Sequence, residues 1–114
     1  MKARNEYIYL AHVIKIIDGD TVDMMVDLGF KAFVDIRFRL ARIDTKEMNS
    51  KDLTEKMLAI AAKTELETVI LDKTVKIQTS KTDKYGRYVA EIWTEDGKNI
   101  SDYLLEKQLA KPYQ

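Results

Sequence analysis

From Tyr7 to Arg42 the chain is built of β-branched, aromatic and aliphatic residues and is interrupted in only two places, Asp18-Gly19-Asp20 and Asp27-Leu28-Gly29. A stretch this long with strand composition, broken only by residues that bend a chain readily, restricts the fold to strands joined by tight turns. The second interruption reads as a hairpin turn. Beyond it "KAFVDIRFRLARID" alternates, with Phe33, Asp35, Arg37, Arg39 and Ala41 on one face and Val34, Ile36, Phe38, Leu40 and Arg42 on the other. One face is predicted to be core and the other to carry arginines.

From about Lys51 to Leu71 the period lengthens. Leu53, Met57, Ile60, Ala61, Thr64 and Thr68 fall three or four apart, which predicts an amphipathic helix resting on this stripe, capped by Asn49 or Ser50. "KTVKIQT" then alternates with Val75 and Ile77 on one side, and "RYVAEIW" is a further strand running into the turn "EDGK". "NISDYLLEKQLA" predicts a short helix on Ile100, Leu104 and Leu105, with Pro112 just past its end. Three strands, a helix, two strands and a helix suit an α+β, mainly β fold: a five-stranded oligonucleotide-binding (OB-fold) barrel with two packed helices. The 114 residues, 46% of them apolar, are enough for one domain, residues 1–114, with a core of its own.

Nineteen basic and nineteen acidic side chains leave no net field to attract a polyanion, so such a partner must be read from local clusters. With no cysteine, disulfides, thiol chemistry and cysteine-bound zinc are excluded, and the single His12 reads as a packing or surface residue. Trp93, Phe38 and the methionines Met24, Met25, Met48 and Met57 read as core or gap-filling residues. The opening "MKARNEYIYLAHVIKI" is too often interrupted by charge for a signal peptide, and no run is long and apolar enough for a spanning helix. The expectation is a cytoplasmic protein without membrane contact.

Four short stretches place charge where a strand-rich core would have none: "DGD" at 18–20, Arg39, "DTKE" at 44–47 and "DKYGR" at 83–87. Singly, each is accounted for by a turn, a solvated strand residue, a helix cap or a loop. Together they have a chemical meaning. Asp20, Asp44 and Glu47 are hard oxygen donors, a set without His or Cys that suits calcium or magnesium. Arg39 and Arg87 have no evident acidic partner in local sequence, and two guanidiniums beside a dication describe a phosphate site.

"IDGDTV", "FRLARIDTKE" and "KTDKYGR" resemble, in order, the three motifs of the staphylococcal nuclease (thermonuclease) family, and the similarity continues through "DGKNISDYLLEKQLAK", from about Val13 to Lys111. The resemblance implies a calcium-dependent phosphodiesterase acting on DNA and RNA, with one Ca2+ held by Asp20, Asp44 and the backbone carbonyl of Thr45. It implies Glu47 as the base that orients or deprotonates the attacking water, and Arg39 and Arg87 as the groups that bind the phosphate and its growing charge. Lys84 and Tyr85 would lie beside a neighbouring phosphate, and Asp18 would orient the site from behind the ligands.

Three departures from the family pattern stand out. Its usual proline between the Thr and the Glu is Lys46 here, the loop after Glu47 is shorter, and the glycine late in the final helix is Gln108. The chain is also neutral where the familiar secreted member is basic, so nucleic acid would be gripped only through Arg39, Arg87, Lys84 and Lys81. A monomer that prefers single strands is expected. The alternatives are a non-catalytic nucleic-acid or protein-binding module on the same barrel, and a structural domain whose charges pair with one another.

Overall fold

The computed structural model describes residues 7–79 and 82–113. Lys81, counted above among the phosphate contacts, lies outside the described residues. In chain order the elements are β1 (Tyr7–Asp18), β2 (Thr21–Gly29), β3 (Ala32–Leu40), β4 (Ile43–Asp44), α1 (Leu53–Ile70), β5 (Thr74–Thr79), β6 (Tyr88–Trp93), α2 (Ile100–Glu106) and β7 (Lys111–Pro112). Five strands close a barrel in the order β1-β2-β3-β6-β5, and β4 and β7 form a separate antiparallel pair. The barrel pairings are antiparallel except β3 with β6. This is the mainly β, two-helix barrel expected from the sequence.

The interior follows from the strand period of two, shifted by one residue at the irregularity in β1 between Val13 and Lys15. Ala11, Val13 and Ile16 of β1, Val22, Met24 and Val26 of β2, Val75 and Ile77 of β5, and Ala90 and Ile92 of β6 are all buried. In β3, Phe38 and Leu40 point inward as predicted, but Arg39 on the arginine face is buried too, at 8% exposure. The alternation stops at Leu40. Arg42 takes a left-handed φ of 67° and leaves the core face to which alternation assigned it. Its guanidinium donates from Nη2 to Glu91 Oε1 (3.0 Å) and from Nη1 to Asp102 Oδ1 (3.0 Å), tying the β3–β4 turn to β6 and to the first turn of α2.

Other expectations are corrected. The β2–β3 turn lies at Phe30 and Lys31, at φ 57° and 62°, just beyond the Asp27-Leu28-Gly29 stretch. The cap of α1 is Asp52, whose carboxylate accepts from the Glu55 amide, rather than Asn49 or Ser50. The helix also sits on a different stripe, since Ala59, Ala62, Leu66 and Ile70 are buried while Leu53, Met57 and Ile60 are exposed. The reason is distance. A Cβ on Gly19 would stand 2.7 Å from Ala62 Cβ, so helix and β1–β2 turn meet where only the smallest side chains fit. Met57 is therefore not a gap filler, and Trp93 is half-buried, with Lys76 Nζ 5.2 Å from its ring centre.

Candidate active site

The β1–β2 turn is only two residues long, Gly19 and Asp20, closed by the pairing of Asp18 with Thr21. The Asp20 amide donates to Asp18 Oδ1 (3.1 Å), while the Leu40 amide donates to Asp20 O (2.8 Å), fixing the turn against the end of β3. Register places Thr21 opposite Arg39, so the Asp20 carboxylate and the Arg39 guanidinium arrive side by side. Gly19 has no left-handed φ. Its role is to let Thr45 and α1 approach, because Thr45 Oγ1 stands 2.9 Å from where its Cβ would be.

Arg39 is the hub. Its Nη2 donates to Asp44 Oδ1 (3.0 Å) and Asp20 Oδ2 (3.4 Å), and its Nη1 to the carbonyls of Ile43 (2.8 Å) and Leu40 (3.3 Å). A buried guanidinium requires such partners, and the two carboxylates it gathers come from the β1–β2 turn and from β4. Asp20 also accepts from the Thr45 amide (3.2 Å) and the Thr21 hydroxyl (3.0 Å). Asp20, Arg39, Asp44 and Thr45 are thus one cluster, with Asp18 behind it.

Asp18 and Asp20 titrate in opposite directions. Burial, then the hydrogen bond and the repulsion from Asp20, push Asp18 up to about 6. Burial works the same way on Asp20, but the bond from Asp18, the Arg39 charge, the Thr45 amide and the Thr21 hydroxyl outweigh it and hold Asp20 below its ordinary value. Below about pH 6 Asp18 is therefore the member of the pair that holds a proton, while Asp20 is ionised.

Arg87 comes from a loop that Asp83 organises, a residue the sequence reading passed over. Asp83 Oδ1 accepts from the amides of Tyr85 and Arg87 (both 2.9 Å), and Oδ2 accepts from Arg87 Nε (2.8 Å). The premise that both arginines lack nearby acidic partners is overturned, and the signal was present as an Asp four residues before an Arg across a glycine turn. Gly86, at φ 77°, completes that turn. Burial is the largest single effect on Arg87 and opposes its charge, but the bond and the charge of Asp83, with Tyr113 adding to them, together raise Arg87 above its ordinary value. Tyr85 lies between two cations, with Lys84 Nζ 5.2 Å and Arg87 Cζ 5.0 Å from its ring centre.

Glu47 stands exposed in the segment between β4 and α1. Among the described residues no three acidic or histidine side chains converge, so Glu47 does not join Asp20 and Asp44 in one group. Its neighbour Lys46 reaches Glu55 of α1 (3.0 Å), which ties down the segment that the family's proline would have stiffened. Beside Asp44 and Thr45 a small cleft of about 110 Å³ runs between Leu58 of α1 and residues 108–111. Tyr113, just after β7, stacks on Arg39 with the guanidinium carbon 4.5 Å from its ring centre.

The chemistry of the donors fits a hard dication. Asp20 and Asp44 reach the same guanidinium nitrogen, an all-oxygen pair that a cation already bridges, and the Thr45 backbone adjoins it. Among the described residues no helix is long and apolar enough to cross a membrane.

The family model described as staphylococcal nuclease homologue matches residues 37–114, which takes in Arg39, Asp44, Glu47, the "DKYGR" loop and Tyr113 and leaves Asp18 and Asp20 before it. Over 105 residues, 90% of this chain, the sequence is 28% identical to a protein of Escherichia coli O157:H7 named as an uncharacterized endonuclease, and equally to an Escherichia coli protein of the same name. Over 81 residues, 71% of this chain, it is 31% identical to protein ParB of Escherichia coli. It spans 60% of the length of the two endonucleases and 40% of that of ParB. With that match over more than half its length, on a barrel of this topology, the chain belongs to the family of staphylococcal nuclease homologues.

Proposed function

We propose that this chain is a nuclease that hydrolyses phosphodiester bonds of single-stranded DNA and RNA with one calcium ion. The observation that carries the reading is the convergence of Asp20 and Asp44 on Arg39, in a site where Arg39 is only 8% exposed. Family membership and the name of the endonuclease relatives support nucleic acid as the substrate.

Asp20 and Asp44 would hold the ion through carboxylate oxygens, with the Thr45 carbonyl beside them. When bound, it supplies charge neutralisation at the phosphate and a water of lowered pKa. Asp18, whose Oδ1 accepts from the Asp20 amide, would orient that ligand from behind. Glu47, exposed and free of side-chain bonds to the cluster, is the residue to accept the proton of the attacking water. Arg87, whose Nε is fixed by Asp83, offers its terminal nitrogens to a phosphate oxygen, and Arg39 faces the same phosphate from the acid cluster. Lys84 and Tyr85 would meet the next phosphate along the strand.

The test is cleavage of labelled single-stranded DNA and RNA in calcium, magnesium or chelator, with thermal unfolding followed across a calcium titration. Calcium should raise the midpoint saturably and support cleavage, and Asp44→Ala should lose both together. Glu47→Gln should keep oligonucleotide affinity and lower turnover on the order of a hundredfold. Undiminished cleavage in excess chelator would sink the metal-dependent reading. The separation of Glu47 from the two aspartates favours one alternative, a binding module without catalysis, and saturable oligonucleotide binding with no turnover in any metal would establish it.

A further inference from the structure

The inward-facing stripes of the barrel strands run on past the core. At the same period of two, Tyr7 and Tyr9 extend the buried Ala11 and Val13 of β1, Leu28 extends Val26 of β2, and Ile36 precedes Phe38 in β3. Thr79 likewise extends Ile77 of β5, and Tyr88 precedes Ala90 in β6. β3 pairs with β6 only from Phe38 to Leu40, so beside Ile36 the barrel wall stands open among the described residues. The stripes surface there as one cleft of about 320 Å³, floored by Val26 and Phe38, each only 2% exposed.

The lining of this cleft is aromatic and uncharged. Tyr7 and Tyr88 are 51% and 52% exposed, and Tyr88 is held edge-on to Phe38 with ring centres 6.3 Å apart. Its position is equally particular. Thr79 ends β5 and Tyr88 begins β6, and the loop between them carries Lys84, Tyr85 and Arg87. Register sets Tyr7 opposite Thr79 and Phe38 opposite Tyr88, so the cleft is fixed to both feet of that loop. An apolar groove alone would suit many partners. Aromatic faces and hydroxyls at the foot of a cationic loop suit a polyanion that carries planar rings.

We propose that the cleft is the subsite for a base of a single-stranded nucleic acid, in the nucleotide next to the phosphate held by Arg87, with the base stacked on Tyr88 and in contact with Tyr7. Every base has an aromatic face, so such a subsite adds affinity without choosing a sequence. A base already paired and stacked in a duplex cannot enter it, which gives a preference for single strands a structural cause. The inference rests on the phosphate-binding reading of Arg87 given above.

The test is fluorescence anisotropy with the Glu47→Gln protein in calcium, using a labelled oligothymidylate and an abasic strand of the same length and charge. Tyr88→Ala should weaken binding of the thymidylate about tenfold and leave the abasic strand within about twofold. The slope of log affinity against log salt should not change, because no charge is removed. Tyr88→Phe keeps the ring and should bind as its parent does, and Tyr7→Ala should act in the same direction as Tyr88→Ala. A strand carrying 5-bromouracil, irradiated in the complex, should crosslink to Tyr88 or Tyr7.

Equal weakening of both strands would mean that Tyr88 acts through the fold or the loop, and it would overturn the proposal. Full affinity in Tyr88→Ala, or crosslinks confined to residues outside the cleft, would do the same. Calcium-dependent turnover alongside any of these results keeps the nuclease reading and removes only the base subsite, whereas the expected selectivity without turnover in any metal does the reverse. A molecular mass that doubles at high protein concentration and reverts in Tyr88→Ala would assign the cleft to a second copy of the chain instead. Absence of binding to any single strand overturns both readings together.

Discussion

Asp18 shows how a single side chain sets the behaviour of its neighbours. Burial and Asp20 raise its pKa from 3.8 to about 6, so between those values the folded chain holds a proton that the unfolded chain has released. Stability from this group is therefore greatest below about pH 4 and falls as pH rises toward about 6. Asp20, Asp23 and Asp83 are shifted down and act in the opposite sense, losing stability as pH falls below the ordinary carboxylate range. The two effects separate by comparison with Asp18→Asn, which donates to Asp20 at every pH as the protonated acid does. In chelator, the thermal midpoint of the variant should rise relative to wild type as pH goes from about 4 to about 7, and the two should converge at the acid end. A gap that is constant across this range would show that Asp18 carries no shared proton. At the same scale Gly19 was legible in sequence as a turn glycine but not in its real task. A Cβ there would stand 2.7 Å from Ala62 and 2.9 Å from Thr45, and the approach of residues so far along the chain cannot be read from an Asp-Gly-Asp triplet.

Among the elements, the strands were legible because barrel walls are solvated on one side and so write a period of two into the sequence. Helix α1 was legible in extent but not in orientation. Its large apolar residues, Leu53, Met57 and Ile60, suggested the inward face, but a close approach to the β1–β2 turn selects Ala59 and Ala62 instead. The acid-arginine cluster was legible as a set of residues. Its internal pairing was not, since Arg39 is bound by carboxylates 19 and 5 positions away that only the fold brings together. The departure at Gln108 now has a physical reading. After α2 the Leu109 amide donates to Leu104 O and the Gln108 amide to Leu105 O (both 3.0 Å), and Gln108 sits at φ 60°. This is the left-handed helix end that favours glycine, and a side chain there is strained by about 1 kcal/mol. Gln108→Gly should therefore raise the thermal midpoint by roughly 4 °C, by the usual scaling for a domain of this size. A lower midpoint would mean that the Gln108 side chain, which lines the cleft beside Asp44, supplies more by packing than its backbone costs.

Over the whole molecule the balance of 19 basic and 19 acidic groups governs how a polyanion is held. The site repeats that balance, with Arg39, Arg87 and Lys84 set against the carboxyl groups of Asp20, Asp44 and Asp83. Arg39 is already bound to two of those acids and Arg87 to the third. A dication between Asp20 and Asp44 would turn a neutral patch into a positive one, so affinity for nucleic acid should depend on calcium even where no bond is cleaved. With about three or four phosphates neutralised at ~0.7 each, log affinity for single strands should fall against log salt with a slope of roughly −2 to −3. In chelator both the affinity and the slope should drop. Fluorescence anisotropy with labelled oligonucleotides and the Glu47→Gln protein, across a salt series with and without calcium, measures both. A slope several units steeper would require a basic surface beyond this cluster, and affinity unchanged by chelator would place the nucleic acid away from Asp20 and Asp44.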